Sequence, residues 1–499
     1  MTRSSSDSSD TPTASERLRS ALARRFGIDT RALAAYRIAL GLLLIIDLLL
    51  RSRDLRAHYT DFGVLPRTAL SQHLQNLSVH AISGEAWVQA LLFVLAGLVA
   101  AALTVGYRTR LATLVSALLL VSLHARNPLV LNGGDLLLRR LLFWSILLPL
   151  GERWSVDALR AVEDGDDEPR ARVSNAATAI LLLQVLAVYA TNAVVKLRGD
   201  LWVNGEAIRY VFSLGQFTVF LGDYLANYPQ LLELFDRIWL GLLVSSFLLI
   251  ALTGWARAAY ASLFVGMHFG MLLTMRLGLF PLISIASILP FMPPVFWDAL
   301  ESHAPDGLRR RLAAGRDRLN GMLPDLRGRG PNVPPALWQW KGRFASVVTT
   351  GLLVGLLLWN SVALGYVDAP GGEDAVVNPV EHRWDMFAPS PPRTDGWYVV
   401  PGQLESGERV DAFDREPVSW DQPDDISAEY PNARWRKYLT NLRWRDSQQH
   451  DRFAGYLCRR WNSNHDDDLE SVTVYFMAQP TRLDGPEPIR KEKLGNWSC

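Results

Sequence analysis

Lys196 and Asn192 lie four residues apart at the end of the apolar run Ile180 to Val195, a spacing that sets both on one face of a helix. An amine at the edge of a bilayer-length segment is expensive to hold, which marks Lys196 as a functional-site residue. Two readings stand. Exposed at the interface, the amine stays protonated and snorkels to water; held dry and away from anions, an amine without its proton can serve as a general base. Trp202 and Gly205 follow, an interfacial aromatic and a turn under either reading. His268 sits inside the apolar run Phe264 to Met271, with Arg276 eight residues on. A histidine in such a run pairs with another helix or faces a cavity, so interhelical hydrogen bonding and a catalytic or binding role are both open. Arg126-Asn127-Pro128 and Asn132-Gly133-Gly134-Asp135 form a polar loop between apolar runs. Polar backbone at membrane depth is tolerated only inside protein or beside a wet cavity. The binding set is therefore Asn192, Trp202, Arg126, Asn127 and Gly134, with Lys196 and His268 as the reactive pair.

The elements that must position these residues are apolar runs. Of the 499 residues 49% are hydrophobic and 20% charged, and the excess of apolar residues is concentrated in windows long enough to cross a hydrocarbon core of roughly 30 Å. Spans are expected at Ala34–Leu50, Trp87–Tyr107, Leu111–His124, Asp135–Leu150, Ala176–Lys196, Trp239–Trp255, Ala258–Met275, Leu279–Met292 and Val347–Tyr366. The third, fourth and eighth are short enough to be tilted or re-entrant. Arginines cluster before the first span, after the second, fourth and sixth, and after the eighth, where Arg309 to Arg329 lie. Nine alternating spans put all of them on one side, the cytoplasm. That orientation makes a multi-pass plasma-membrane protein with a cytoplasmic N-terminus and an outside C-terminus. Lys196 and the loops 51–85, 125–134 and 197–235 then share the outer face. The Ser-rich, acidic start is not followed by a cleavable apolar segment, so the first run reads as a retained anchor.

The organisation expected is a cytoplasmic segment 1–33, a transmembrane domain 34–294, a basic connector 295–344, a last helix 345–366 and an outward domain 367–499. The connector carries an amphipathic stretch, Leu308 to Met322, that either lies on anionic lipid or is a solvated linker. In the tail, Gly396–Val400, Arg409–Phe413 and Leu469–Met477 have strand period. Its tryptophans, Trp384, Trp397, Trp420, Trp435 and Trp461, supply either a core or a contact surface for an extracellular protein partner. Both cysteines, Cys458 and Cys499, are in this region and can form one disulfide; nothing has thiolate spacing for zinc, and no metal is expected. Arg37 and Asp47 in the first span are expected to pair with other helices. A net charge of +1 gives no footprint for nucleic acid, and membrane lipid is the expected partner. There is no Ser-His-Asp order, phosphate-binding glycine loop or His-Glu-x-x-His, so hydrolase and kinase chemistry have no support. A non-enzymatic membrane-anchored binding or assembly protein is the alternative to an enzyme.

The chain resembles the HTTM (horizontally transferred transmembrane) family, which includes vitamin K-dependent gamma-carboxylase. The similar stretches, in the same order, are Tyr36 to Asp47, Tyr59 to Pro66, Tyr107-Arg108, Trp154 to Asp157, the run through Lys196, Trp202 and Gly205, and His268 followed by Gly278-Leu-Phe280. The resemblance implies an all-α polytopic membrane bundle of eight or nine transmembrane helices, with a small C-terminal β-containing extramembrane domain. It implies that Lys196 is the base that deprotonates a reduced quinone (hydroquinone), a quinol-like small molecule, whose reaction with oxygen yields an epoxide and a base strong enough to take a glutamate γ-proton. His268 aligns with a functionally important histidine. Two positions depart from the carboxylase: Gly134 stands where it has a histidine, and Val195 where it has a lysine. The tail from Trp384 looks like the shorter extension of prokaryotic members and has no counterpart of the carboxylase's propeptide surface, so what the resemblance implies is a gamma-carboxylase-like, quinol-dependent lyase or oxygenase-type enzyme, short of full glutamate carboxylation.

Overall fold

The computed structural model describes residues 13–163, 170–324, 335–368, 384–414 and 417–499. The Ser-rich start, and Arg327 and Arg329 of the connector, lie outside them. The described chain is mostly helical and ends in a small α/β domain. Helix α1 (Thr30–Ser52) starts where the Asp29 carboxylate accepts the Arg31 N–H, an N-cap that satisfies one orphan donor. Helix α2 (Ala86–Val105) stops at Gly106, whose φ of 71° is the left-handed C-cap that glycine adopts without a Cβ clash. Helices α3 (Thr109–Arg126) and α4 (Gly133–Ser145) follow, the latter opened by a reciprocal capping box between Asn132 and Asp135. A second such box, Asn175 with Thr178, opens α5 (Ala176–Leu197). Then come α6 (Pro229–Val244), α7 (Gly254–Thr274), α8 (Phe280–Ile288) and α9 (Pro335–Ala363).

Among the described residues four helices, α1, α2, α5 and α7, are long and apolar enough to cross a membrane. A fifth span results if Phe280–Phe291 and Pro294–His303 count as one broken by a 103° bend, and Val347–Ala363 is a shorter apolar helix. The expected sixth span is shifted: helix α6 begins at Pro229 and ends at Val244, well before Trp255. Proline fits the first helical position, and at the far end the Ser245 hydroxyl bonds the Gly241 carbonyl and Tyr260. The fourth and eighth runs are short helices of 13 and 9 residues.

Contacts sort the loops into two ends. At one, Arg31 joins Asp29, Asp298 and Glu301, Arg257 reaches the Arg25 carbonyl, and Arg160 holds Asn320 of the helix Asp306–Met322. At the other are Arg51, the 125–134 loop, Lys196 and the whole C-terminal domain. The end-to-end grouping of polar loops follows the arginine pattern of the sequence.

The C-terminal domain has strands β1 (Thr394–Val399), β2 (Pro401–Leu404), β3 (Arg409–Asp411), β4 (Leu469–Pro480) and β5 (Arg490–Ser498), all antiparallel, with helices α10 (Ala433–Leu442) and α11 (Ser447–Asn462). Long β4 is central: β1 and β2 lie along one edge of it, with Trp397 opposite Met477 and Gly402 opposite Val472, and β5 lies along the other. Trp397, Trp435 and Trp461 are buried in its core, Trp384 is buried against the bundle, and Trp420 is exposed. The core does not stop at the domain boundary. Ala57, Val64 and Val130 of the membrane part belong to the same buried cluster. Cys458 of α11 and Cys499 form a disulfide across 41 positions. Closing a loop of this length removes unfolded-state entropy, so Cys458→Ser with Cys499→Ser is expected to destabilise the C-terminal domain by about 2–4 kcal/mol, read as a lowered denaturation midpoint of that domain's tryptophan signal in detergent.

Candidate functional site

Two buried polar groups lie where the C-terminal domain meets the bundle. The first is built on α5. Asn192 and Lys196, one turn apart on the same face, are both 2% exposed, and their partners come from a distant strap, Trp384 to Phe387. Asn192 Nδ2 donates to the Trp384 carbonyl at 3.1 Å, Lys196 Nζ to the Met386 carbonyl at 3.2 Å, and Trp202 Nε1 to the Phe387 carbonyl at 2.9 Å. The Lys196 amine also sits over the Trp202 ring, 2.9 Å from its centroid. Among the described residues no carboxylate lies within ion-pair distance of it; Asp236, on α6, is the acid whose charge bears on it. Asp236 is fully buried, accepts the Ile208 N–H at 3.0 Å and leaves its Oδ1 without a hydrogen bond.

Below Asn192 is a cavity of about 20 Å³, walled by Val185, Tyr189, Trp239, Phe280 and Met386 and edged by Asn192, His268, Ser284 and Ser287. The volume suits one water molecule. His268 Nδ1 lies 2.8 Å from the Phe264 carbonyl. A carbonyl only accepts, so Nδ1 carries the proton and Nε2 is the free acceptor. The structure thus gathers Lys196, Asn192 and Trp202 around the strap, and sets His268 beside Asn192 on the cavity wall.

The loop residues have other partners. Arg126 donates to the Leu65 carbonyl at 2.8 Å and Asn127 to the His58 carbonyl at 2.8 Å, both away from the cavity walls. Gly134 presents no ligand: its N–H goes to Asn132 Oδ1, and a Cβ there would stand 3.0 Å from Phe280 Cα. Glycine at this position lets α4 approach the cavity wall.

The second group is ionic. Arg51 donates to Asp47 at 2.7 Å, Asp135 at 2.6 Å and Tyr59 at 2.6 Å, and Arg434, at the start of α10, reaches in to bind both Asp47 and Asp135. Asp47, His124 and Asp135 bring three donor atoms within 4.8 Å of one another, the count a metal would use. Both carboxylates are already bridged by two guanidiniums, which balance their charge, and a cation would have to expel one. Asp47 therefore pairs within its own helix and across to the tail, whereas Arg37 binds the carbonyls of Leu150, Arg153 and Trp154. Beside the clamp, Trp435 Nε1 and Asn432 Nδ2 hold Asp54 at 2.9 and 2.6 Å, and His58 packs 4.6 Å from the Trp435 ring. Burial, reinforced by the charges of Arg434 and Arg51, pushes His58 down to about 3. On the tail's side, Asp395 accepts the N–H groups of Gly215 and Gln216, and burial pushes its carboxyl up to about 6.

Comparison with known families settles the membrane part. A family model for the HTTM domain matches residues 27–297, more than half of the chain. The chain belongs to the HTTM-domain family. Comparisons with curated proteins and with solved structures find no match. The HTTM match ends before the strap and before Arg434, both of which complete the polar groups of the HTTM bundle. Sequence reasoning missed Asp236, the strap and Arg434. Only Asp236 left a signal, since Asp236, Trp239 and Leu243 fall at i, i+3 and i+7 on one face of α6.

Two outcomes test the interface. Arg434→Ala leaves one buried carboxylate charge uncompensated and should destabilise the docked protein by about 3–5 kcal/mol, with Arg434→Lys recovering part of it; an unchanged melting temperature would remove the clamp from the account. His58 is neutral when docked and titrates near ~6.5 when released, so the unfolded state binds the extra proton and native stability drops as pH falls from about 6.5 towards 3. Asp395 has the opposite sign, since its docked form takes a proton first, but it is common to both proteins when wild type is compared with His58→Gln. The melting-temperature deficit of wild type relative to the variant should therefore widen steadily below pH 6.5.

Proposed function

We propose that this HTTM protein is a multi-pass enzyme of a prokaryotic plasma membrane, in which Lys196 takes a proton from a hydroquinone-like lipid at the outer membrane interface. The observation that carries the reading is the Lys196 amine itself, 2% exposed, with one carbonyl acceptor at 3.2 Å and no carboxylate in contact among the described residues. For stability alone an apolar residue of similar size would serve as well or better, so the amine is there for chemistry. In the proposed step the O–H bond of the hydroquinone breaks, its proton goes to Lys196 Nζ and the electron pair stays on the ring oxygen. A phenolic hydroxyl titrates near ~10, within reach of an amine. The Trp202 face and the Asp236 charge favour the ammonium that forms. His268 Nε2 and Asn192 orient the ring oxygens, and the apolar walls pack against the ring.

Two observations support the orientation. The tail holds the Cys458–Cys499 disulfide, which persists in an oxidising compartment, and the arginine-rich loops gather at the opposite end, the pattern of a cytoplasmic face. The tail is then outside and the N-terminus inside. Eight or nine crossings are reached when the shorter helices α3, α4 and α6 are counted as tilted or partial spans. In the full-length protein in lipid nanodiscs, Lys196→Ala should slow oxygen-dependent oxidation of menadiol at least ~100-fold, the scale of a lost general base, with expression and melting unchanged. Organic extracts of the wild type should carry a quinone-type ultraviolet spectrum that the variant's extracts lack. Undiminished oxidation by the variant would rule out the base.

A further inference from the structure

We propose that the strap Trp384–Phe387 is a lid that closes the Lys196 site by standing where the ligand binds, so that its displacement admits an apolar molecule bearing ring oxygens. The identity of that ligand rests on the reading above; the gating does not. A ligand pocket for a molecule of drug size spans roughly 300–1,000 Å³, and the cavity of about 20 Å³ cannot receive an aromatic ring while Met386 forms its wall. Methionine is unbranched and pliable, suited to filling a space that must also be vacated. Its main chain does the polar half of the substitution. The donors of Asn192, Lys196 and Trp202 are each met by a strap carbonyl, at 3.1, 3.2 and 2.9 Å. Three donors along one strap, of which Asn192 also edges the apolar hollow, make a receptor for oxygens on an apolar body, and the strap supplies both parts in place of the ligand.

The strap is held by contacts that can be released. Arg140 lies 4.8 Å from the Trp384 ring, and the Phe387 ring meets Phe217 edge-on at 5.3 Å. Phe387 has φ of 60°, a left-handed conformation that an aromatic residue rarely adopts, so the closed strap carries a strained residue at the centre of the site. Downstream, Thr394 begins β1 and joins the strap to the C-terminal sheet, which gives the lid a fixed anchor.

The test uses the full chain in nanodiscs and the rate at which Lys196 is labelled by phenyl isothiocyanate, read by peptide mass spectrometry. A Cβ at Gly133 would stand 3.7 Å from Met386 Cγ, the position a cysteine sulfur would take, so Gly133→Cys with Met386→Cys is the pair chosen to tether the strap shut. Labelling should be at least tenfold slower in the tethered form than after reduction, with the parent protein and its native disulfide as the control for the reductant. Met386→Ala should label at least tenfold faster than wild type, and decides the matter if the tether does not form. Equal rates in wild type, tethered and Met386→Ala proteins would overturn the lid. Menadiol then separates the two ideas: if it fails to protect Lys196 in Met386→Ala while the strap still gates labelling, the lid stands and the quinol reading falls. Equal protection of the tethered and open forms overturns the lid.

Discussion

A polar group taken out of water at the end of a membrane bundle must find a partner in protein, and here the partners come from outside the bundle. Asp47, Asp135 and Arg51 are buried together, two negative charges with one positive. Arg434 of the tail supplies the second positive charge. The amide of Asn192 and the amine of Lys196 meet strap carbonyls, and the Gly215 and Gln216 N–H groups meet Asp395. An unmatched buried charge costs several kcal/mol, and each unpaired polar group about 1–3 kcal/mol. Without the tail the clamp would lack one positive charge, and Asn192, Lys196, Gly215 and Gln216 would lack these acceptors. The HTTM segment is therefore one half of a polar bookend, and the tail is docked by satisfaction of charge and hydrogen bonds as much as by the shared apolar core of Ala57, Val64 and Val130.

The two ends of the bundle handle their arginines differently. Away from the tail, Arg37 caps carbonyls at the close of the α4 region, and Arg31 and Arg257 tie the N-terminal segment to the turns beside it. Those partners come from the N-terminal segment, the turns of the bundle and the start of the connector, without the tail. At the other end the clamp joins residues some three hundred positions apart.

What the sequence disclosed follows the range of the forces involved. Helix α5 and the common face of Asn192 and Lys196 were legible because apolar length and an i, i+4 spacing are local. The shifted α6 was not, because hydropathy averages over Gly241 and Ser245 and does not register that the helix ends at Val244. In the tail the strands near Gly396, Arg409 and Leu469 were legible from alternation. Strand β5 was hidden: it is an edge strand carrying Arg490, Lys491, Glu492 and Lys493, and charge on an edge protects it from pairing with other chains while erasing the apolar signal. Arg434 opens the segment Arg434-Trp-Arg-Lys437, which reads as a solvated basic face. Nothing local distinguishes an arginine that inserts between two carboxylates from one that meets water. The loop of Arg126 and Asn127 shows the same limit, since its burial was foreseeable and the carbonyls it binds were not.

The choice of lysine at 196 is the sharpest chemical statement in the molecule. Arg51 and Arg37, equally buried, each have three acceptors to match a guanidinium that keeps its charge. Lys196 is given one carbonyl and one ring face, whereas a protonated amine has three N–H donors to place. The clamp supplies more acceptors to Arg51 and Arg434. A site built only for packing would have used none and carried an aliphatic chain. Under the proposed function, one strap carbonyl, one aromatic face and a buried acid nearby suit a group that holds a proton for part of a cycle.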